Sequence, residues 1–255
     1  MSCGSAEDLA QTDTLRDQVV ARSIEMQTAT PRAIMQGFIS LLMIVILTPT
    51  ATAETRKLCP VDEGAKDASF KAFRNKLIEA VKQRNTRFVL SVLHQRVQLS
   101  FGGHYGKKDF LDLWKPDSPD SDLWNELSTV LSLGGTFSKS EGKRVFWAPY
   151  TFSAFPDDLD SYEYASIVGE NVRVRSQPNT TASIVTNLSY DIVKATFPVS
   201  DNSREGDVPG WVRVIVPDGR NGYVASRYIR SPIDYRLGVE GIRGKWLITY
   251  FIAGD

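Results

Sequence analysis

Cysteine and histidine are scarce in this sequence, with two of each among 255 residues. Two cysteines cannot form a multiply cross-linked scaffold. His94 and His104 belong to no Cys-x-x-Cys or His-x-x-x-His pair, so the ligand spacing of a closed zinc site is missing. No Gly-x-Ser-x-Gly turn gives local support to a serine nucleophile. We therefore expect no metal, no cofactor and no catalytic residue that the sequence can identify.

An excess of charge of one sign is also lacking. The chain has 30 Lys and Arg residues against 30 Asp and Glu residues, a formal net charge of zero. A neutral chain has no global field to attract nucleic acid or an anionic membrane surface, so we expect neither as a partner. With 42% hydrophobic residues, the chain has the composition of a folded protein and not of a disordered one.

No hydrophobic run reaches the ~20 residues that a membrane-spanning helix needs. The longest apolar block, residues 38–47, follows Arg32 and is followed by Thr-Pro-Thr-Ala-Thr-Ala. This order is typical of a secretory signal peptide. It predicts cleavage between Ala53 and Glu54, no stable membrane anchor afterwards, and export to the periplasm or the cell surface. Met26 is a candidate start; the alternative is that residues 1–25 form a cytoplasmic tail on a retained anchor.

Cleavage would leave Cys59 as the only cysteine, because Cys3 is removed with the leader. We expect no disulfide within the processed chain, whose fold then depends on its core. A catalytic thiol would need a helix start and a histidine partner, whereas Cys59 precedes Pro60 in a polar segment.

Short β-rich runs separated by turn residues occupy residues 167–231, which predicts a small all-β barrel. Alternation places Val172 and Val174 in the core and the intervening arginines in water. Large aromatic side chains at Trp211 and Tyr223 are expected to fill the interior. Asp218-Gly219 and Asn221-Gly222 supply residues that tolerate positive φ in turns.

The order of these runs resembles the bacterial SH3 (Src-homology-3-like) domain. The motifs are residues 171–178 (Asn-Val-Arg-Val-Arg-Ser-Gln-Pro), Leu188, residues 210–214 (Gly-Trp-Val-Arg-Val), Gly219, residues 222–224 (Gly-Tyr-Val) and Tyr228-Ile229. The resemblance implies a non-catalytic module that binds cell-wall peptide, peptidoglycan or another exported protein. Candidate binding residues are Arg173, Arg175, Trp211, Tyr223, Arg227 and Tyr228.

Helices and strands flank the barrel on both sides. Apolar residues at helical spacing predict a first helix over 70–81, with Asp67 as a possible cap. Further helices are predicted near Asn85 and over 106–114 and 121–133. Strands are predicted at 97–101, 145–150, 235–242 and 245–253.

The last of these strands is apolar on both faces, which predicts that it is covered on both sides and paired with strands that precede the barrel. We therefore predict an α+β protein, with helices on a curved antiparallel sheet and an inserted all-β SH3-like barrel. The predicted divisions are residues 1–53, a leader and signal peptide; residues 54–166 plus 232–255, a discontinuous α+β domain; and residues 167–231, the barrel.

The order of elements outside the barrel resembles the cone-shaped nuclear-transport-factor-two-like superfamily, which includes ketosteroid-isomerase-like and SnoaL-like proteins. This resemblance implies a cavity between helices and sheet, and thus an alternative function as a small-molecule pocket protein or enzyme. Candidate pocket residues are His104, Tyr105, Tyr150, Asp157 and Asp158.

Aromatic residues are also frequent on both sides of the barrel. Packing between the two domains is the default explanation. The alternative is an aromatic groove at the junction, rimmed by Arg173, Arg175 and Arg227.

Overall fold

A computed structural model describes residues 56–140, 142–197 and 208–254 of the chain. The predicted signal peptide, its cleavage between Ala53 and Glu54 and the candidate start at Met26 lie outside the described residues. In the part of the chain that is described, no helix has both the length and the apolar character needed to cross a membrane.

Helices dominate the region before the barrel. The described residues contain α1 (Ala68–Lys82), α2 (Thr86–Val92), α3 (Gly106–Trp114), α4 (Leu123–Ser132) and the short α5 (Tyr150–Ser153). Short 3-10 turns lie at Glu63–Lys66 and Ser226–Tyr228.

Helix α1 begins where the sequence predicts. The Asp67 carboxylate accepts hydrogen bonds from the backbone amides of Ser69 and Phe70, both at 3.0 Å, which satisfies two of the unpaired amides of the first turn. Phe70, Leu77 and Val81 are buried on one face, so the predicted cap and the predicted amphipathic face are both confirmed.

Strands follow α2 and then occupy most of the second half of the chain. They are β1 (Leu93–Gln98), β2 (Thr136–Ser140), β3 (Lys143–Ala148), β4 (Tyr164–Ile167), β5 (Val172–Arg175), β6 (Ile184–Leu188), β7 (Ile192–Thr196), β8 (Trp211–Ile215), β9 (Asn221–Ala225), β10 (Ile229–Arg230), β11 (Arg236–Ile242) and β12 (Lys245–Ile252). The first strand begins four residues before the predicted 97–101, whose last member, Phe101, is instead 52% exposed in a turn.

The first sheet has five strands in the order β1-β12-β11-β3-β2. Strands β11 and β12 therefore lie between strands that precede the barrel in the chain. Leu237 pairs with Ala148 and Val239 with Phe146 across the β11–β3 ladder, and β12 pairs with β1 on its other side. The last two strands are thus the interior of the sheet and not an appendage.

The expectation of a wholly antiparallel sheet is wrong at one pair. Strand β1 runs parallel to β12, with Leu93 opposite Ile248 and Gln98 opposite Tyr250. The two strands are far apart in the chain, so no tight hairpin forces opposite directions. The other neighbours in this sheet are antiparallel.

Strand β12 is covered on both faces only in its second half. Phe251 and Ile252 are both buried, whereas Lys245 is exposed and Trp246 and Leu247 are half-buried. The prediction of coverage along the whole strand is therefore wrong for its first half, where one face of the sheet opens to solvent.

The other face of the five-stranded sheet packs against helices α1 to α4. The Phe70 and Phe146 ring centroids are 4.4 Å apart, and Trp114 stacks on Phe251 at 5.0 Å. The core of this region consists of buried apolar side chains from helices and strands together: Phe70, Leu77, Val81, Val89, Leu93, Val97, Leu99, Phe110, Leu123, Trp124, Leu127, Val130, Leu131, Phe146, Ala148, Leu237, Val239, Ile248 and Phe251.

The second sheet has seven antiparallel strands in the order β10-β4-β7-β8-β9-β5-β6. Its core is aliphatic: Ala165, Ile167, Val172, Val174, Leu188, Val193, Val212, Val214, Val216, Val224 and Ile229. The prediction that Val172 and Val174 face the core is confirmed.

Trp211 and Tyr223 do not fill this interior, contrary to expectation. Val212, Val214 and Val224 are buried, and strand alternation turns the side chains next to them outward, so Trp211 and Tyr223 are only half-buried. Gly222 is also used differently from the prediction. A Cβ atom there would collide with Val174, so close packing and not a positive φ requires glycine at this position.

Residues 56–63, the linking segment, join the two sheets through backbone hydrogen bonds. At one end the amide of Leu58 donates to the Tyr190 carbonyl at 2.8 Å, and the amide of Ile192 donates to the Arg56 carbonyl at 2.8 Å. At the other end the amide of Glu63 donates to the Gly135 carbonyl at 2.8 Å, just before β2.

Polar and apolar side chains reinforce the linking segment. Lys57 lies 3.1 Å from Asp191, whose side chain is 3% exposed, and donates to the Ser189 carbonyl at 2.7 Å. Leu58, Tyr150 and Ile192 form a buried apolar cluster next to this ion pair. Tyr150, one of the aromatic residues before the barrel, therefore packs in the junction as the default explanation predicts.

Cys59, within this segment, is disulfide-bonded in the full-length chain. The expectation of an isolated Cys59 therefore does not hold for the full-length chain, and for a chain cleaved after Ala53 it stays a prediction.

The Arg230–Glu126 ion pair also joins the barrel to the helical region. The Arg230 guanidinium donates to Glu126 Oε1 at 2.7 Å and to the Tyr235 carbonyl at 2.8 Å. The Arg230 side chain is 9% exposed, so this pair is shielded from solvent and joins β10 of the barrel to α4. Burial also raises the pKa of the nearby Asp234 carboxyl.

Phe251→Ala tests how much the interior strand β12 contributes to the free energy of unfolding. Phe251 is 1% exposed, and removal of a buried phenyl ring costs about 3–5 kcal/mol of unfolding free energy. Leu113→Ala, at a side chain that is 51% exposed, is the control and should change stability by less than about 0.5 kcal/mol. Urea denaturation followed by circular dichroism measures both; equal midpoints for the two variants would contradict a buried β12.

Asp67→Asn tests the charge of the helix cap through its pH dependence. Hydrogen bonds from the Ser69 hydroxyl, the Phe70 amide and Arg144 lower the pKa of Asp67 from 3.8 to about 2. The charged carboxylate thus stabilises the fold fully above pH 3.8, and this contribution is lost as the pH falls through about 2. Calorimetric melts should show a lower melting temperature for Asp67→Asn at neutral pH and a difference that shrinks towards pH 2. Asp120→Asn, at an exposed carboxylate, should follow the wild type; a pH-independent difference for Asp67→Asn would refute the account.

Candidate functional site

The barrel carries a groove of about 340 Å³ on its outer surface. Its walls come from the start of β5, the start of β8, the end of β9 and the 3-10 turn that precedes β10. The lining residues are Glu170, Asn171, Val172, Arg173, Arg175, Thr180, Trp211, Ala225, Arg227 and Tyr228. All of them belong to the barrel, and none comes from the helices or from the five-stranded sheet.

Five of the six candidate binding residues line this groove: Arg173, Arg175, Trp211, Arg227 and Tyr228. Tyr223 is not among the lining residues. It lies in the middle of β9, where it pairs with Arg175 of β5 and Arg213 of β8.

The three arginines of the groove differ in their surroundings. Arg175 donates to the Ala182 carbonyl at 2.7 Å, which holds its side chain against the turn before β6. The Arg227 guanidinium lies 4.8 Å from the centroid of the Tyr228 ring, within the range of a cation–π interaction. Arg173 is exposed and its side chain has no hydrogen-bond or ion-pair partner among the described residues. Arg173 is therefore available to a ligand, and Arg227 also has no hydrogen-bond or ion-pair partner among the described residues.

Two half-exposed aromatic surfaces accompany these cations. Trp211 is half-buried at the start of β8, opposite Ala225 of β9. Tyr228 is 40% exposed. An indole and a phenol beside an unpaired guanidinium suit a ligand with both an apolar stem and an acidic group.

Sequence reasoning missed the residues that complete the walls, among them Glu170, Thr180 and Ala225. Glu170 contributes the one acidic side chain of the lining. Asn171 has a φ of 52° and its amide donates to Ser189 Oγ at 2.9 Å, so the chain turns sharply as it enters β5. The position of Asn171 at the head of the SH3-like motif was visible in the sequence, but the wall it forms depends on strand pairing.

The five candidate pocket residues do not come together. His104 is exposed and its ring lies 3.1 Å from Ser100 Oγ, while Tyr105 is 46% exposed at the start of α3. Asp157 lines a separate surface pocket with Phe152 and Arg236.

The other two candidates lie near the junction. Asp158 pairs with Arg56 at 2.6 Å, and this hydrogen bond lowers its pKa. Tyr150 is 1% exposed, and burial raises its pKa to about 12, which makes it a poor proton donor at neutral pH. The helix-covered core contains none of the five.

The predicted junction groove rimmed by three arginines is wrong. Arg173, Arg175 and Arg227 line the groove of the barrel, and Tyr228 is the only junction aromatic among its lining residues. The described residues also contain no cluster of three or more His, Cys, Asp or Glu side chains arranged to hold a metal ion.

Trp211→Ala and Val214→Ala compare the loss of stability at a groove residue with the loss at a core residue of the barrel. Val214 is 1% exposed, so its truncation should lower the unfolding free energy by about 1–3 kcal/mol. Trp211→Ala should cost no more than Val214→Ala although it removes a larger side chain, because the indole lies outside the barrel core and part of its surface faces solvent. Thermal and urea denaturation measure both variants; a larger loss for Trp211→Ala would show that the indole is a core residue.

Comparison with known proteins agrees with the barrel. No curated protein matches the chain. Residues 170–230 match the family model of the bacterial SH3 domain, which confirms the resemblance seen in the sequence. Bacterial SH3 domains are typically binding modules for cell-wall components. No comparison supports the cone-like superfamily for the flanking segments. The matched range includes every residue that lines the groove of the barrel.

Proposed function

We propose that this protein is an exported, non-catalytic binding protein that uses the groove of its SH3 domain to hold a cell-envelope ligand. The ligand is a cell-wall peptide, peptidoglycan or another exported protein that presents an extended acidic segment. The observation that carries the proposal is the combination of exposed Arg173, half-exposed Trp211 and the Arg227–Tyr228 pair in one groove inside the matched SH3 domain.

The chemistry of the groove favours a peptide with a free carboxylate. A guanidinium group forms two parallel hydrogen bonds with a carboxylate, and Arg173 has no internal partner to give up among the described residues. Trp211 and Tyr228 provide flat apolar surface for the peptide stem, as in other grooves that bind extended chains. Glu170 on the same lining gives a partner for an amino group of the ligand.

The rest of the chain serves to present this groove. We assign residues 54–163 plus 232–255 to a discontinuous α+β domain and residues 164–231 to the barrel inserted into it, because β4 pairs with β7 and β10 of the barrel. The linking segment and the Arg230–Glu126 pair hold the barrel by contacts outside the groove lining, so a ligand has access without movement of the α+β domain. Bacterial SH3 domains are often found in exported proteins, which agrees with the signal-peptide pattern that ends at Ala53.

A sedimentation assay with purified peptidoglycan tests the proposal. Wild-type protein should co-sediment, and Trp211→Ala and Arg173→Gln should each weaken retention by about tenfold or more, as expected for central aromatic and arginine contacts. Arg213→Gln is the matched control, because Arg213 is exposed on the barrel but does not line the groove.

Two outcomes would contradict this function. One is no retention of a folded wild-type protein on peptidoglycan and no capture of exported proteins that the groove variants lose. The other is equal retention of Trp211→Ala, Arg173→Gln and Arg213→Gln, which would place the ligand elsewhere on the molecule.

A further inference from the structure

The five-stranded sheet has its own groove on the face opposite the helices. It measures about 960 Å³ and is lined by residues of β1, β3, β11, β12 and their adjoining turns, among them Arg96, Lys143, Glu240, Arg243 and Tyr250. None of its lining residues lies in the matched SH3 range, so it is separate from the groove of the barrel. Its volume is at the upper end of the range typical of small-molecule sites.

Glu240 lines this groove and is only 6% exposed. It follows Val239, which packs into the helix-covered core, so alternation directs Glu240 to the opposite face. Its neighbours across the ladders are Val145 and Leu247, which offer no hydrogen-bonding side chain. Among the described residues, the Glu240 carboxylate has no hydrogen bond and no ion pair.

The Glu240 side chain is largely buried, and its charge gains no stabilising pair among the described residues. We therefore expect the fold to tolerate a neutral side chain at this position. A cationic group of a ligand that enters the groove would pair with Glu240 and explain why a carboxylate lies there.

The exposed cations of the groove carry the opposite charge. Arg96, Lys143 and Arg243 are exposed, and their side chains have no ion-pair partner among the described residues. Arg144, which also lines the groove, is engaged elsewhere: it lies 2.7 Å from Asp67 and 3.7 Å from the centroid of the Phe137 ring.

This charge pattern selects the class of ligand. A purely anionic molecule would leave Glu240 unpaired, and a purely cationic one would be repelled by Arg96, Lys143 and Arg243. A zwitterion pairs with both: its ammonium group with Glu240, and its carboxylate with the exposed cations. The ring of Tyr250 in the lining adds a favourable surface for the ammonium.

We propose that this groove binds a short peptide with free termini, whose ammonium group pairs with Glu240 and whose carboxylate lies against Arg96, Lys143 and Arg243. The site is independent of the SH3 groove and does not require the function proposed for it. It gives the protein a second ligand site, in the α+β region.

Isothermal titration calorimetry of the full chain with three probes tests this site. The probes are trialanine with free termini, N-acetyl-trialanine, which lacks the ammonium, and trialanine amide, which lacks the carboxylate. We expect trialanine to bind the wild type at least about tenfold more tightly than either blocked form, since each loses a charge-assisted hydrogen bond.

Variants of the groove show which residues bind the amino end of the peptide and which bind its carboxyl end. Glu240→Gln should weaken trialanine about tenfold and remove the preference over the N-acetyl form. Arg96→Gln combined with Arg243→Gln should remove the preference over the amide and leave the preference over the N-acetyl form. Glu79→Gln on the exposed face of α1 is the matched control and should bind as the wild type does.

Thermal melts of the same proteins show whether each variant is folded. Without peptide, Glu240→Gln should melt at or above the wild-type temperature, because it removes an unpartnered buried charge. With trialanine, the wild type should shift upwards and Glu240→Gln should not. Trialanine also carries the free carboxylate that the SH3 groove favours, so the titrations are repeated in a Trp211→Ala background. The component of binding that Glu240→Gln removes should remain in that background.

The proposal is overturned by no binding of trialanine to the wild type at millimolar concentration. It is also overturned if Glu240→Gln, folded as judged by its melt, binds all three probes as the wild type does. If binding is lost only in Trp211→Ala, the peptide occupies the barrel and not the sheet.

Discussion

The fold depends on the return of the chain from the barrel into the middle of the five-stranded sheet. Strands β11 and β12 lie between β1 and β3, so both neighbours of this pair are made before the barrel in the chain. Leu237, Val239, Ile248 and Phe251 supply the buried side chains on which the helices pack. A hydrophobic sheet interior cannot form around an empty central position, so we expect the helical region and strands β11 and β12 to unfold together.

The barrel has its own core and therefore a different relation to the rest. Its aliphatic interior contains no side chain from the helices or from the five-stranded sheet. The barrel is attached through the linking segment, through the Leu58–Tyr150–Ile192 cluster and through the Arg230–Glu126 pair. Because these contacts lie outside the groove lining, the barrel is anchored and its groove stays exposed.

The sequence predicted those features that follow from local rules. The Asp67 cap, the amphipathic face of α1 and the burial of Val172 and Val174 each depend on spacing within a few residues, and the structure agrees. The SH3 resemblance also came from ordered motifs in one continuous segment. Trp211 shows the limit of reasoning from size: a large aromatic residue was assigned to the core, whereas alternation with buried Val212 turns it outward.

Features that depend on pairing between distant strands were not accessible in the same way. The parallel arrangement of β1 and β12 joins residues more than 150 positions apart, and no local pattern encodes its direction. Glu240 is similar: a single acid in an apolar strand gives no motif, and its isolation becomes visible only when Val145 and Leu247 are seen beside it. The candidate pocket residues failed to meet because they were chosen for their chemistry without knowledge of which strands are neighbours.

Two grooves of different chemistry result from this arrangement. The SH3 groove has an unpaired arginine beside aromatic surface, which suits an acidic extended ligand. The groove of the five-stranded sheet has a buried acid surrounded by exposed cations, which suits a zwitterion. Both are consistent with recognition of peptides, and only the second depends on the strands that follow the barrel.

Hydrogen exchange measured by mass spectrometry on the full chain and on a chain that ends at Ser231 tests the central claim most directly. The account predicts that loss of β11 and β12 abolishes protection in α1, β1 and β3, while residues 164–230 remain protected. Unchanged protection of α1, β1 and β3 in the shortened chain would contradict it.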